Sequence, residues 1–348
     1  MTMKLILLLC NIFIVCATVV SQCPPRKEIH PCICIEKQLG KRKYELIILC
    51  YNIGTPASFS NIETRLRHVE IEKFLLYDSY WRGSPGQQSV LPKDFLNSYK
   101  IKEVEIVDTS LNTGFACRST PNCEENNIIK LTISNSSLGE RSFQACLDDS
   151  RVTSFLDCLV LLKHLKITRA NLPIIRHNFF SKMPDLRELI LQFNQITRIE
   201  RQVFTAATFP SLEVLDLSHN GLLDVKNLFT HSEMKIAFLD LSYNQIKSLF
   251  NFKKLPKLKK LLLRNNDLIE LSAADWQSAP KILRYIDFRE NDLNCDCNFK
   301  WVNDTFHMNT EIIGNCAAPK EVASMKLRKA SRLLKLRCDE EGKIARTN

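Results

Sequence analysis

From Leu186 to Leu293 the hydrophobic and polar positions repeat one spelling five times: apolar residues at places one, four and six, asparagine at place nine, and an apolar residue at place eleven. The copies are Leu186, Leu189, Leu191, Asn194 and Ile196; Leu212, Leu215, Leu217, Asn220 and Leu222; and Ile236, Leu239, Leu241, Asn244 and Ile246. Leu258, Leu261, Leu263, Asn266 and Leu268, then Leu283, Ile286, Phe288, Asn291 and Leu293, complete the series. The asparagines lie 26, 24, 22 and 25 residues apart. Within each copy apolar and polar residues alternate with period two, which predicts a short strand with its leucines on one face. The asparagine falls at the following bend, where a short amide can serve backbone groups left unpaired by the turn.

A spelling of this kind at a period of roughly 20 to 29 residues is that of a leucine-rich repeat. One copy cannot cover its own apolar face, so neighbours must stack and the ends need caps. The predicted fold is therefore an α/β solenoid, a horseshoe with a parallel sheet on its concave face. Weaker copies extend the array upstream. Leu66, Val69, Ile71 and Leu76 fit with Phe74 in the asparagine slot, and Ile101, Val104, Ile106 and Leu111 fit with Thr109. Ile128, Leu131, Ile133 and Leu138 fit with Ser136, and Leu162, Leu165, Ile167 and Leu172 fit with Ala170. The total is about nine repeats, four of them without the ladder residues Asn194, Asn220, Asn244, Asn266 and Asn291. Between Leu76 and Leu91 an insertion carries Tyr77, Tyr80, Trp81, Gly83, Pro85 and Gly86, which reads either as a recognition loop or as aromatics folded over the early coils.

The ends add a compartment. Residues 1–21 combine Lys4 with an apolar run ending in small residues, the pattern of a secretory signal peptide cut after Ser21 or after Ala17. No later stretch is long and apolar enough for a membrane span, and the tail 339–348 is polar. Removing the leader takes the formal charge from +10 to +9 and the cysteines from 14 to twelve, an even count that reads as disulfides in a secreted chain. Zinc is the disfavoured alternative in that compartment. The cysteines form three groups of four. Those in the middle, Cys117, Cys123, Cys146 and Cys158, fit either a staple of neighbouring coils, Cys117 to Cys146 and Cys123 to Cys158, or local pairing, Cys117 to Cys123 and Cys146 to Cys158.

The outer groups carry a resemblance. Cys23-Pro24-Pro25 with Cys32, Cys34 and Cys50, and Asn294-Cys295-Asp296-Cys297 with Trp301, Cys316 and Cys338, resemble the N- and C-terminal caps of secreted, cysteine-capped leucine-rich repeat proteins. The resemblance implies the pairs Cys23 with Cys34, Cys32 with Cys50, Cys295 with Cys316 and Cys297 with Cys338. It divides the chain into signal peptide 1–21, N-terminal cap 22–52, repeats 53–293, C-terminal cap 294–338 and tail 339–348. The opening cap also resembles arthropod proteins named after the non-catalytic subunit of oplophorus luciferin monooxygenase. The broad family implies binding of proteins or glycans on the concave face, no enzyme activity and no cofactor; the narrower likeness implies a non-catalytic partner that stabilises a secreted enzyme.

The predicted concave face has three columns of polar positions. The first runs His68, Glu103, Lys130, His164, Glu188, Val214, Phe238, Lys260 and Tyr285. The central one runs Glu70, Glu105, Thr132, Lys166, Ile190, Asp216, Asp240, Leu262 and Asp287. The third runs Glu72, Val107, Ser134, Thr168, Gln192, Ser218, Ser242, Arg264 and Arg289. This zoning, acidic at the start and mixed with cations and aromatics at the end, singles out Asp216, Phe238, Asp240, Lys260, Arg264, Tyr285, Asp287 and Arg289 for an extracellular protein partner. Sequons at Asn135 and Asn303 predict glycosylation. Basic clusters, Lys253, Lys254, Lys257, Lys259, Lys260 and Arg264, then Lys320, Lys326, Arg328, Lys329, Arg332, Lys335 and Arg337, suit an anionic glycan rather than nucleic acid, or simply a solvated surface. Asp216, Ser218 and His219 resemble a triad on paper, but an open strand surface offers neither mutual reach nor an oxyanion site.

Overall fold

The computed structural model describes residues 23–344 apart from 41–43, 60–61, 63–64, 67–68, 84–89, 92–98, 112–117, 120–126, 139–151, 154–155, 157–158, 178, 181, 230–231 and 307. Its main element is a sheet of twelve strands. The sheet opens with an antiparallel pair, Ile33–Gln38 against Tyr44–Tyr51, and from there each strand pairs parallel to the next. Nine repeat strands follow the pair: Ile71–Ser79, Ile101–Thr109, Lys130–Ser134, His164–Thr168, Glu188–Ile190, Val214–Asp216, Phe238–Asp240, Lys260–Leu262 and Tyr285–Asp287. Nine strands make eight turns of a leucine-rich repeat solenoid. Glu311–Ile313 closes the sheet.

Parallel neighbours in register place like residues side by side. Phe74, Val104, Leu131, Leu165, Leu189, Leu215, Leu239, Leu261 and Ile286 form one continuous row, and every one is buried. This row is the period-two pattern made physical: alternate side chains leave water, and the polar ones between them stay on the concave face. Behind the later coils runs a chain of buried rings that the strand pattern did not announce. Phe180, Phe209, Phe204, Phe229, Phe250, Phe252 and Trp276 touch in sequence, with centroids between 4.6 and 6.1 Å apart. Trp301 and Phe306 join the chain to the C-terminal end.

The first repeat corrects the sequence frame. Ile71, Phe74, Leu76 and Ser79 lie opposite Ile101, Val104, Ile106 and Thr109, so the slot residue is Ser79 and Phe74 belongs to the core row. The frame predicted from Leu66 and Val69 is five residues early. The concave positions of this repeat are accordingly Lys73, Leu75 and Tyr77, opposite Glu103, Glu105 and Val107, and not Glu70 or Glu72; His68 lies outside the described residues. Tyr77 is a strand residue rather than part of an insertion, and the exposed Tyr80 and half-buried Trp81 follow the strand.

The asparagines form a ladder. Asn194 accepts from the Ala170 N–H and donates to the Ile167 carbonyl, at 2.8 and 2.7 Å. Asn244 does the same for Leu222 and Leu217, Asn266 for Ile246 and Leu241, and Asn291 for Leu268 and Leu263. Asn220 accepts from both Asn194 and Ile196 and donates to Leu191. Earlier coils use hydroxyls instead. Ser79 accepts from Ile53 and donates to the Tyr77 carbonyl, and Ser136 accepts from Thr109 and donates to the Ser134 carbonyl.

Disulfides lie near both ends: Cys23 with Cys34 and Cys32 with Cys50, then Cys295 with Cys316 and Cys297 with Cys338. Over the last coil lies the helix Leu327–Ile344, which buries Leu327, Ala330, Ser331 and Leu334 at helical spacing. Among the described residues no helix is long and apolar enough to cross a membrane. The leader 1–21, the four middle cysteines Cys117, Cys123, Cys146 and Cys158, and Pro85 and Gly86 lie outside the described residues.

Candidate functional site

Short parallel strands hold the concave side chains at fixed spacing, so the face can be read column by column. Toward its C-terminal end Lys260 stands between two rings, with Nζ 5.4 Å from the Phe238 centroid and 4.8 Å from that of Tyr285. All three are half-buried. An ammonium over two rings gains electrostatically from both faces, and it orders the lysine stem that water would otherwise leave mobile.

The three central aspartates do different work from that expected of them. Asp216, Asp240 and Asp287 each accept a hydrogen bond from the backbone N–H two residues on, that of Ser218, Ser242 and Arg289, at 2.9, 2.8 and 3.0 Å. They fasten the end of their own strand. Asp216 is also held by the Gln192 amide, and Asp216 and Asp287 are only 8% and 3% exposed. These two therefore offer a partner little surface. Arg289 grips Asp287 with Nε at 2.9 Å and a terminal nitrogen at 2.6 Å. Burial opposes the charge on Asp287, but the Arg289 guanidinium and N–H outweigh it and hold the carboxyl below the usual range. Asp240 has no such cation, and burial pushes its carboxyl up.

At the other end, the acidic zone is smaller than the sequence frame implied. Glu105 pairs with Lys73 at 2.7 Å and accepts the Tyr77 hydroxyl at 2.9 Å, while Lys130 approaches Glu103. Burial opposes ionisation of Glu105, yet Lys73 and Tyr77 hold its carboxyl low. The Tyr77 hydroxyl is pushed up to about 12, by burial first and then by its bond to Glu105.

A second feature runs along the strand ends. In each coil the residue before the slot adopts a positive φ: Asn52, Asp78, Asp108, Asn135, Arg169, Phe193, His219, Tyr243, Asn265 and Glu290. Asparagine and aspartate tolerate this region, whereas large side chains enter it at a cost. Three consecutive coils nevertheless place rings there, and the rings stack. Phe193 and His219 lie 4.1 Å apart, and His219 and Tyr243 lie 4.2 Å apart, nearly parallel. Arg169 covers the free face of Phe193 at 4.5 Å, and Arg264 sits 5.7 Å from the Tyr243 centroid. Arg264 also pairs with Glu290. His219 belongs to this ribbon and makes no hydrogen bond with Asp216 or Ser218 among the described residues, so the apparent triad is not assembled.

Of the two sequons, Asn135 is exposed at the mouth of a groove beside the ribbon, and its amide donates to Asp108. Asn303 is half-buried, donating to the Arg328 carbonyl at 3.0 Å while its oxygen accepts from the Arg328 guanidinium at 3.2 Å. In the basic C-terminal cluster, Lys335 pairs with Asp304 at 2.8 Å. Among the described residues no group of three histidine, cysteine, aspartate or glutamate side chains is placed to hold a metal ion.

Parallel strands in register, an asparagine ladder and disulfides near both ends define a leucine-rich repeat solenoid. The family model "Leucine rich repeat" matches residues 160–222 and 184–246. Fibromodulin of Sus scrofa is 30% identical over 123 residues, covering 34% of this chain and 80% of that sequence. The chain belongs to the leucine-rich repeat family. Toll-like receptor 9 of Mus musculus is 28% identical over 177 residues, 48% of this chain but 17% of the receptor. Leucine-rich repeat-containing G-protein coupled receptor 5 of Xenopus tropicalis is 36% identical over 99 residues, 28% of this chain and 10% of the receptor. The chain thus spans a small part of these receptors' length. In fold it is similar to a chain of the octameric complex of Latrophilin 3, Unc5D and FLRT2, with a TM-score of 0.50 at 21% identity, covering 80% of this chain and 85% of that one.

Proposed function

We propose that the chain is a secreted, non-catalytic binding protein that takes an extracellular protein partner on the C-terminal half of its concave face. The observation that carries this reading is the patch in which Lys260 is clamped between Phe238 and Tyr285, flanked by Arg264 and Arg289. Rigid aromatic and cationic anchors of this kind supply most of the energy of protein interfaces, because little side-chain freedom is lost when they dock. Phe238, Lys260, Tyr285, Arg264 and Arg289 are the contact residues in this reading; Asp240 contributes at the margin, and Asp216 and Asp287 hold the scaffold. The leader 1–21, cleavage after Ser21, the cap limits and glycans on Asn135 and Asn303 belong to the same proposal. Disulfides at both ends and extracellular relatives support the compartment.

The test immobilises the full chain and captures partners from the fluid of the producing tissue, in parallel with a Phe238→Ala/Tyr285→Ala variant and a Leu223→Ser variant altered away from the patch. A protein retained by wild type and Leu223→Ser but lost from the double variant supports the reading. Equal retention by all three overturns the concave-face assignment. Should the captured protein be a smaller enzyme, the stabilising-subunit reading implied by the oplophorus-type cap is the one that applies.

A further inference from the structure

Beside the aromatic ribbon lies a groove of about 630 Å³ whose lining includes Asn135, Arg169, Asn171, Phe193, Gln195 and His219. Its chemistry is one-sided. No acidic residue lines it, and Arg169 has no acidic partner among the described residues; the guanidinium rests on the Phe193 ring at 4.5 Å. The amides of Asn171 and Gln195 are exposed and make no side-chain hydrogen bond among the described residues, and the ring nitrogens of His219 make none either. Both residues stand on backbone with positive φ, 55° and 60°, and line the groove.

The ring faces are not available to a ligand. Phe193 is covered by Arg169 on one side and His219 on the other, and His219 lies between Phe193 and Tyr243. Only ring edges reach the groove, and the edge of an aromatic ring carries the positive part of its quadrupole. A cation, two free amides, an imidazole and positive ring edges all favour an anion whose surroundings are rich in hydroxyls. They disfavour an apolar peptide, which needs ring faces and gives the amides nothing to bond.

We propose that this groove binds an acidic glycan, with Arg169 receiving a carboxylate or sulfate and Asn171 and Gln195 bonding the sugar hydroxyls. The three ring-bearing residues in the left-handed column are then part of a built surface: the ribbon holds Arg169 in place, and the strain of Phe193 at φ 57° serves to position it. The site is distinct from the Phe238–Lys260–Tyr285 patch, and its failure would leave the protein-binding reading untouched.

The experiment measures fluorescence anisotropy of labelled heparin and hyaluronan hexasaccharides with the full chain carrying Ser137→Ala, which removes the Asn135 sequon so that no attached glycan can fill the groove, at fixed salt. Variants are Arg169→Gln, Phe193→Asn and, as control for the basic C-terminal cluster, Lys329→Gln/Arg332→Gln. Asparagine suits the left-handed column, so Phe193→Asn removes the support of Arg169 without threatening the coil, and thermal melting verifies that. Arg169→Gln is expected to weaken binding about tenfold or more, Phe193→Asn less, and the control under about twofold. Binding of both sugars assigns carboxylate recognition, and binding of heparin alone assigns sulfate recognition. The proposal is overturned if neither sugar binds, if Arg169→Gln binds as wild type does, if the C-terminal control abolishes binding, or if a polyglutamate peptide competes as well as the sugars.

Discussion

Replacing Asn244 by alanine is the sharpest test of how the coils are held together. The Asn244 amide donates to the Leu217 carbonyl of the preceding coil and to the Leu241 carbonyl of its own, both at 3.0 Å, and accepts from the Leu222 N–H at 3.1 Å. The carbonyls are insured: Leu217 also receives Asn220, and Leu241 also receives Asn266. The Leu222 N–H is not, and Leu222 is 1% exposed. Leaving that donor dry costs about 1–3 kcal/mol, and losing the two carbonyl bonds adds about 0.5–1.5 kcal/mol each. The sum centres on about 4 kcal/mol, a large share of a typical domain's net stability.

Asn244→Ser separates the ladder from mere polarity. A hydroxyl in this slot reaches only the slot N–H of the preceding coil, as Ser136 reaches Thr109 and Ser79 reaches Ile53. In the hydroxyl coils the N–H two places further on is served by backbone, Leu111 donating to the Ser137 carbonyl at 3.0 Å. That bonding goes with the parallel bridge between Ser110 and Ser137, and among the described residues no such bridge follows Asn244, where the side chain itself serves the Leu222 N–H. Serine should therefore recover less than about 1 kcal/mol of the alanine loss. Lys247→Ala, at an exposed neighbour on ordinary backbone, should cost under about 0.5 kcal/mol. Urea unfolding followed by tryptophan fluorescence and far-UV circular dichroism reads all three. A loss below about 1 kcal/mol for alanine, or recovery to wild type by serine, would refute the assignment of the ladder as the inter-coil clamp.

Arg289→Gln should lower stability at neutral pH, with the gap to wild type closing as pH falls below about 4. The Asp287 carboxyl is held low in the folded chain, so its contribution is present above the ordinary carboxylate range and lost as it protonates. Asp240, raised by burial, acts in the opposite sense: Asp240→Asn should be less costly at neutral pH than Asp287→Asn, which denaturation at several pH values would check. Phe252→Ala, inside the ring chain between Phe250 and Trp276, should cost about 3–5 kcal/mol and shift Trp276 emission to the red. Removing the Cys297–Cys338 link, which closes 41 residues and ties the helix Leu327–Ile344 to the last coil, should cost about 2–5 kcal/mol and release that helix to early proteolysis.

The solenoid was legible because its five regular copies carry asparagine, a residue with one job at one place in the coil. Where the slot holds a hydroxyl, the frame is no longer marked. Leu66, Val69, Ile71 and Leu76 satisfy the spelling as well as Ile71, Phe74, Leu76 and Ser79 do, because the strand is nine residues long and apolar at several phases. Only pairing with Ile101–Thr109 decides between them. The bonds of the aspartates are hidden for a related reason: alternation puts Asp216 and Asp287 on the concave side, but says nothing of their backbone N–H partners two residues on, or of Arg289 folding over.

The strand-end ribbon is not legible in the sequence, since Arg169, Phe193, His219 and Tyr243 look unrelated when read along the chain. Their common property is conformational. Each sits immediately before the slot, where the turn demands a positive φ, and where Asn52, Asp78, Asp108, Asn135 and Asn265 show the residues that meet the demand at least cost. A left-handed column written Arg, Phe, His, Tyr through the middle coils and Asn or Asp in most of the others is a departure from the local optimum. Stacking about 4 Å apart returns part of that cost, but asparagine would have avoided it. If Phe193→Asn proves more stable than wild type while losing affinity for an acidic sugar, the ribbon is a binding device maintained against stability; if it is less stable, the stack also holds the coils together, and Arg169→Gln alone decides the groove.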